Sequence, residues 1–326
     1  MRILITGATC MIGKALCEQL LKRNHEIIAI VRKNSNKKNQ LFQSERLTII
    51  ESDMEFYGKI AKNITGEIDI AVLLAWNGTR GNGRKDCKIQ KENYESNMQI
   101  LYELQQLGCK RIMAAGSQAE YGPWYSTERL SEEIEGSPNT EYGKYKLKFF
   151  REANEYCIKN QIQLIEPRFF SIYGPDDLES TLIISSIKKM LRNETCDFTE
   201  CEQLWDYLYI DDAIEGLIKI IEGDCQGIIN FGYGESHVLK DYIKKIYELT
   251  KSKSILNFGT IPYPETGAAN LNPDVKKLKK MGWMPKVTFE EGIRKIIRRI
   301  SEDSFLDMGG FEDMRCMEKK LNLKSE

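Results

Sequence analysis

Arg2-Ile3-Leu4-Ile5-Thr6 is a short apolar run, and Thr6-Gly7-Ala8-Thr9-Cys10-Met11-Ile12-Gly13 leads from it straight into the helical pattern Ile12–Arg23. Few folds accept that order. Gly7 permits a sharp exit from a buried strand, and Gly13 lets the next helix lie close on the sheet. The helix start offers free N–H groups and the positive end of its dipole, which together attract an anion. A strand, a glycine turn and a helix in this order read as the phosphate-binding turn for a dinucleotide. For the glycines alone, a tight turn in any α/β protein is the plainer reading. The candidate cofactor contacts are Gly7, Thr9, Cys10, Met11, Ile12 and Gly13. Cys10 stands where a further glycine lets backbone approach phosphate, so its side chain either pushes a cofactor outward or points away.

The pattern continues. Strand-like runs at Glu26–Val31, Leu47–Glu51, Asp69–Ala75, Lys110–Ala115 and Gln161–Arg168 alternate with helical stretches at Lys85–Leu107 and Thr140–Lys159. This predicts an α/β fold, a Rossmann-type doubly wound parallel sheet with helices on both faces. After Pro175 the rhythm changes to helices and short irregular pieces, a smaller mixed α/β C-terminal lobe for the substrate. The expected division is a dinucleotide-binding domain over residues 1–172 with a return segment at about 203–232. The substrate lobe then takes 173–202 and 233–300, and a polar tail takes 301–326.

Composition removes other classes. With 326 residues, 29% charged and a net charge of −1, nothing suggests a nucleic acid or an anionic membrane as partner. The longest apolar run, near Ile68–Ala75, is too short to span a bilayer, and Thr6–Thr9 breaks the N-terminal run before it can act as a secretion signal. Nine scattered cysteines without a Cys-x-x-Cys, and only His25 and His237, give no metal site and no Ser–His–Asp triad. Cysteine usage fits reduced thiols in the cytoplasm.

At the end of the second strand an acid commonly binds the adenosine ribose. Here the run is Ala29-Ile30-Val31-Arg32-Lys33. Arg32 is a bidentate donor suited to a 2′-phosphate, so NADP(H) is favoured, with NAD(H) the other possibility. A solvated basic loop is the bland alternative. Asp53 is a candidate acceptor for the adenine amino group, or else a turn cap.

Tyr142 and Lys146 lie four apart on one helix face, where an ammonium can stabilise a phenolate for proton transfer. The spacing alone is weak, because Tyr247 and Lys251 repeat it. Order separates the two pairs: Tyr142 follows Ile112-Met113-Ala114-Ala115-Gly116-Ser117, a buried strand ending in a hydroxyl at the edge where ligands bind in such sheets. Ser117, Tyr142 and Lys146 are therefore the catalytic candidates.

These motifs resemble the extended short-chain dehydrogenases/reductases, in the group of sugar-nucleotide epimerases, dehydratases and reductases. The likeness spans about residues 1–298 and includes Gly116–Gly122, Arg168–Pro175, Trp205–Asp212 and Gly282-Trp283-Met284-Pro285. It implies a nucleoside-diphosphate sugar substrate, Leu74, Ala75 and Pro167 beside the nicotinamide half, and a homodimer formed through two long helices. Gln118, Ser171 and Trp205 occupy positions near the substrate in that family. Dehydratases of the group carry Asp-Glu directly after the catalytic hydroxyl residue; this chain has Gln118-Ala119, with Glu120 one place later, which argues against dehydration. Trp205 and Ser171 replace a frequent Arg and Asn. The expectation is NADPH-dependent reduction of a keto-deoxysugar nucleotide, with a 4-epimerase as the alternative. A non-catalytic dinucleotide sensor is a third reading, which the intact Ser117, Tyr142 and Lys146 oppose.

Overall fold

The computed structural model describes residues 1–264 and 268–308. The strands are β1 (Arg2–Thr6), β2 (Glu26–Val31), β3 (Leu47–Glu51), β4 (Ile70–Leu73), β5 (Arg111–Ala114), β6 (Gly116–Ser117), β7 (Gln163–Phe169), β8 (Ser171–Tyr173), β9 (Cys196–Asp197), β10 (Leu204–Trp205), β11 (Tyr207–Tyr209), β12 (Gly227–Phe231), β13 (His237–Val238) and β14 (Leu256–Asn257). The α-helices are α1 (Met11–Lys22), α2 (Cys87–Gln106), α3 (Glu141–Lys159), α4 (Leu182–Leu191), α5 (Ile210–Glu222), α6 (Leu239–Thr250), α7 (Lys276–Lys280) and α8 (Phe289–Met308).

Eight parallel strands form the main sheet in the order β3-β2-β1-β4-β5-β7-β12, with β6 beside β7 beyond the end of β5. This is a doubly wound Rossmann sheet. The strand order reverses between β1 and β4, which opens a crevice at their C-terminal ends. Because side chains alternate along a strand, Ile3 and Ile5 enter one core and Leu4 the other. Leu16, Leu20, Ile214 and Leu217 from α1 and α5 close the first face; Leu101, Phe149 and Ala153 from α2 and α3, with Tyr57 and Ile60 from a 3₁₀ segment, close the second.

Beyond β7 the chain forms three two-stranded sheets, β8 with β11, β10 with β13, and β9 with β14. Much of their surroundings shares the first core, beside a small separate cluster of Tyr121, Leu130, Phe170 and Leu271. Ile187 of α4, Ile246 of α6 and Ile296 of α8 belong to the same buried cluster as Ile3 and Leu16. Helix α8 runs through Ser301, where the sequence places the start of the tail; Ser301 is buried and its hydroxyl donates to Ile297 O at 2.9 Å. Residues 309–326 of that tail lie outside the described residues. No helix among the described residues is long and apolar enough to cross a membrane.

Buried carboxylates tie the returning segments to the sheet. Asp206 accepts from Tyr233 N and Gly234 N, both at 2.7 Å. Asp212, on α5, accepts from Lys286 N at 2.8 Å and Val287 N at 2.7 Å, while its own carbonyl takes Trp283 Nε1 at 3.0 Å. Asp212→Ala leaves two backbone donors without their acceptor and is expected to lower unfolding free energy by about 3 kcal/mol. A urea denaturation curve whose midpoint matches that of the unaltered protein refutes this anchoring role.

Candidate active site

The crevice between β1 and β4 is built by short-range ties. Thr6 Oγ1 accepts from Leu74 N and Ala75 N, each at 3.2 Å, and so joins the two strand ends. Gly7 takes a positive φ of 69°, and a Cβ on Gly13 would stand 2.3 Å from Gly7 O. Only glycine lets α1 begin that close to the strand. Cys10 is the N-cap of α1, its Sγ accepting from Gly13 N at 3.2 Å. Of the two orientations open in the sequence, the sulfur takes the one turned back onto the helix. No acidic residue stands in the first turn of α1, so its positive end has no internal counter-charge. A dinucleotide diphosphate fits such a cradle.

Arg32 is exposed immediately after β2. Around it Lys38 pairs with Glu51 at 2.6 Å, and Lys33 lies 4.7 Å over the Phe56 ring. Asp53 Oδ1 accepts from Lys33 N at 3.2 Å and makes no capping bond to the 3₁₀ segment that it precedes. Its carboxylate therefore sits at the same strand edge as Arg32.

Ser117 ends β6. Its N–H donates to Glu120 Oε1 at 2.7 Å and its Oγ accepts from Ala119 N at 3.2 Å, a capping box that fixes the turn. Helix α3 starts directly against this turn, because Gly143 has no Cβ; one there would lie 2.3 Å from Ala119 O. Ser117 thereby comes to face the Tyr142 hydroxyl. Burial pushes the Tyr142 phenol up from its ordinary value, while the Ser117 hydroxyl and the nearby Arg84 pull it back.

Lys146, one helical turn on from Tyr142, is anchored on the backbone. Its Nζ donates to Ala115 O at 2.6 Å and lies 3.8 Å over the Trp76 ring. The cause is the break between β5 and β6. Ala115 lies in that break with its N–H on Leu73 O of β4 at 3.0 Å, and its carbonyl is left to accept from the ammonium. Helical spacing puts Tyr142 and Lys146 on one face, and this carbonyl anchors the ammonium. A further cation, Arg84, covers the phenol, its Cζ 4.4 Å from the Tyr142 ring centroid. Burial lowers Lys146 to about 8, with Glu120 and Glu166 opposing the drop.

Beneath this layer is a buried ionic cluster. Arg168 Nε contacts Glu166 Oε2 at 2.9 Å and Arg168 Nη2 contacts Glu120 Oε2 at 3.3 Å. Burial raises both carboxyls, Glu166 the further because the charge of Glu120 faces it. Glu120, fully buried, is held beneath this layer by Ser117 N and Arg168.

Gln118 is half-buried in the turn after Ser117. Ser171 and Trp205, also half-buried, stand on two different small sheets, β8 and β10. Trp205 packs 6.4 Å from Tyr207 and against the cluster of Tyr121, Phe170 and Leu271. Sequence reasoning missed Trp76, Arg80 and Arg84. Two arginines in the glycine-rich segment Gly78–Gly83 and its exit, directly after a buried strand at the ligand-binding edge, were the available signal.

If the sulfur of Cys10 acts as a cap, Cys10→Ala costs about 1 kcal/mol and Cys10→Ser retains it. Equal thermal midpoints for these two variants speak against the cap.

The model of the NAD dependent epimerase/dehydratase family matches residues 3–232. CDP-abequose synthase of Salmonella muenchen is 26% identical over 301 residues, 91% of this chain and 97% of that protein. dTDP-4-dehydro-6-deoxyglucose reductase of Escherichia coli is 27% identical over 317 residues, again covering 91% and 97%. Among solved structures, UDP-glucose 4-epimerase of Thermotoga maritima with UDP-glucose has a TM-score of 0.84 at 20% identity, covering 93% of this chain and 100% of that one. UDP-glucuronic acid 4-epimerase of Bacillus cereus in complex with NAD has a TM-score of 0.79 at 23% identity, covering 93% and 99%. These structural likenesses bear on the fold. The family match covers well over half of the chain, and the chain belongs to the NAD dependent epimerase/dehydratase family.

Proposed function

We propose that this enzyme reduces a keto-deoxysugar carried on a nucleoside diphosphate, with NADPH as the hydride source. The observation that carries the reading is the close seating of α3 on the Ser117 turn, where Gly143 leaves no room for a Cβ and Ser117 faces the Tyr142 hydroxyl. The Gly7 turn would hold the dinucleotide diphosphate, with Leu74 and Ala75 beside the nicotinamide half, and the cofactor would supply a hydride for the sugar carbonyl carbon. Tyr142 gives its hydroxyl proton to the carbonyl oxygen, and Ser117 orients that oxygen. The phenol O–H bond breaks as the sugar O–H bond forms, and water restores the proton. Lys146 keeps a positive charge below the site from its anchor on Ala115 O. Cys10, Thr9, Met11 and Ile12 line the diphosphate turn, with Pro167 on the nicotinamide side and Gln118, Ser171 and Trp205 on the sugar-nucleotide side.

Arg32, exposed at the end of β2 with its neighbours Lys33 and Lys38 engaged elsewhere, supports a 2′-phosphate and hence an exchangeable NADPH. An epimerase keeps its cofactor through the cycle; a reductase exchanges it. Protein purified without bound cofactor and preferring NADPH by about tenfold or more supports reduction. NAD carried tightly through purification overturns it in favour of a 4-epimerase. With the substrate found in a panel of sugar nucleotides, Tyr142→Phe is expected to bind cofactor normally and to lose about a hundredfold or more in turnover.

The charge of Lys146 gives a pH dependence. Burial lowers this base to about 8, so it is cationic below that pH and neutral above it. In the free enzyme kcat/KM should fall as pH rises through about 8. In Lys146→Arg, whose guanidinium keeps its proton, the alkaline limb should move to higher pH; an unmoved limb assigns it to another group.

A further inference from the structure

Tyr142 sits in a box whose charged and titratable walls come from several elements. Ser117 faces its hydroxyl from the end of β6, and Glu120 lies below that turn. Trp76, after β4, meets the phenol edge-on at 6.4 Å. Lys146, on the same helix, is directed to Ala115 O. Arg84 covers the ring at 4.4 Å, with Arg80 behind it.

The loop that presents Arg84 is held from both sides. Asn93, buried on α2, accepts from Asn77 N and donates to Asn77 O, both at 2.9 Å. One turn earlier, buried Gln90 donates to Gly78 O at 3.0 Å and Gly83 O at 2.8 Å, and accepts from Trp76 Nε1 at 2.7 Å. Arg80 reaches across to Asp177 at 3.0 Å, beyond β8. Arg84 itself donates to Thr79 O at 3.2 Å. Gln90 and Asn93 belong to a buried helix face that also carries Ser96 and Asn97; buried amides are costly unless hydrogen-bonded, and these two are spent on pinning this loop. A guanidinium held this firmly over an aromatic face is a fixed charge, with no reorganisation needed when the phenol loses its proton.

We propose that Arg84 is a positioning residue of Tyr142, holding the ring against Trp76 and adding a fixed positive charge that stabilises its phenolate alongside Lys146. The inference rests on the reading that Tyr142 moves the proton. An opposite charge within about 4–6 Å displaces an acid by about 1–3 pH units, so one guanidinium suffices to offset part of the burial around the phenol.

The test needs no substrate. Protein labelled with ¹³Cζ-tyrosine is titrated by NMR, and Tyr142→Phe identifies the Tyr142 signal. In Arg84→Met that signal should titrate at least about one pH unit higher than in the unaltered protein, or not at all before alkaline unfolding. Arg84→Lys should lie between the two. If Arg84→Met loses the fold by circular dichroism, Arg84→Gln, which retains a donor for Thr79 O, takes its place in the comparison. Coincident midpoints in the neutral variant and the unaltered protein overturn the proposal, as does an unaltered signal that never titrates. Coincident midpoints with a raised KM would make Arg84 a substrate grip only. A wrong sugar-nucleotide assignment leaves the titration unchanged, so the two failures are distinguishable.

Discussion

Arg168 and the two carboxylates that it joins support everything above them. None of the three has water to solvate it, and an isolated charge at such depth is prohibitive, so they hold only as a group. Arg168 reaches back along β7 to Glu166 and across to Glu120 in the turn after β6. The free end of that turn is in turn fixed by Ser117 N on Glu120. A burial cost shared among strand and turn thereby becomes positional accuracy for one hydroxyl. Lys146 adds a second cation over the same acids, and this explains how an ammonium survives there in the charged state at all.

The crevice follows from a different constraint, the reversal of strand order between β1 and β4. Loops leaving adjacent strands in opposite directions cannot fill the space between them. The Gly7 turn takes one side and the Leu74-Ala75 turn the other, with Thr6 Oγ1 between them. The loop from Asn77 to Asp86 then runs over the Tyr142 side and meets the Asp177 segment from beyond β8. The candidate site is thus built from loops at one edge of the main sheet, met by the segment that follows β8 of a small sheet.

The strands and long helices of the first half were legible because each is a local pattern. Arg2–Thr6, Glu26–Val31 and Leu47–Glu51 run between turn residues, and α3 begins at a Thr140 cap whose hydroxyl accepts from Gly143 N. The second half was harder. Its two- and three-residue strands carry no periodicity of their own, and their pairings, such as Trp205 with His237, join residues distant in sequence. Cys10 was legible as an exception but its direction was not, since a sulfur near a helix start can cap or obstruct.

From the sequence alone came the dinucleotide turn, the parallel doubly wound sheet and the Ser117–Tyr142 pair at its edge, because each depends on neighbours within one strand, turn or helix. Tertiary structure decided where the charges went. Tyr142 and Lys146 share a helix face, and the strand break at Ala115 anchors the ammonium while Arg84, from a distant loop, comes over the phenol ring. Glu120, one residue out of place for a dehydratase, is similarly claimed by Arg168 from another strand. Buried charges choose partners by distance and desolvation across the packed fold, and no local pattern encodes that choice.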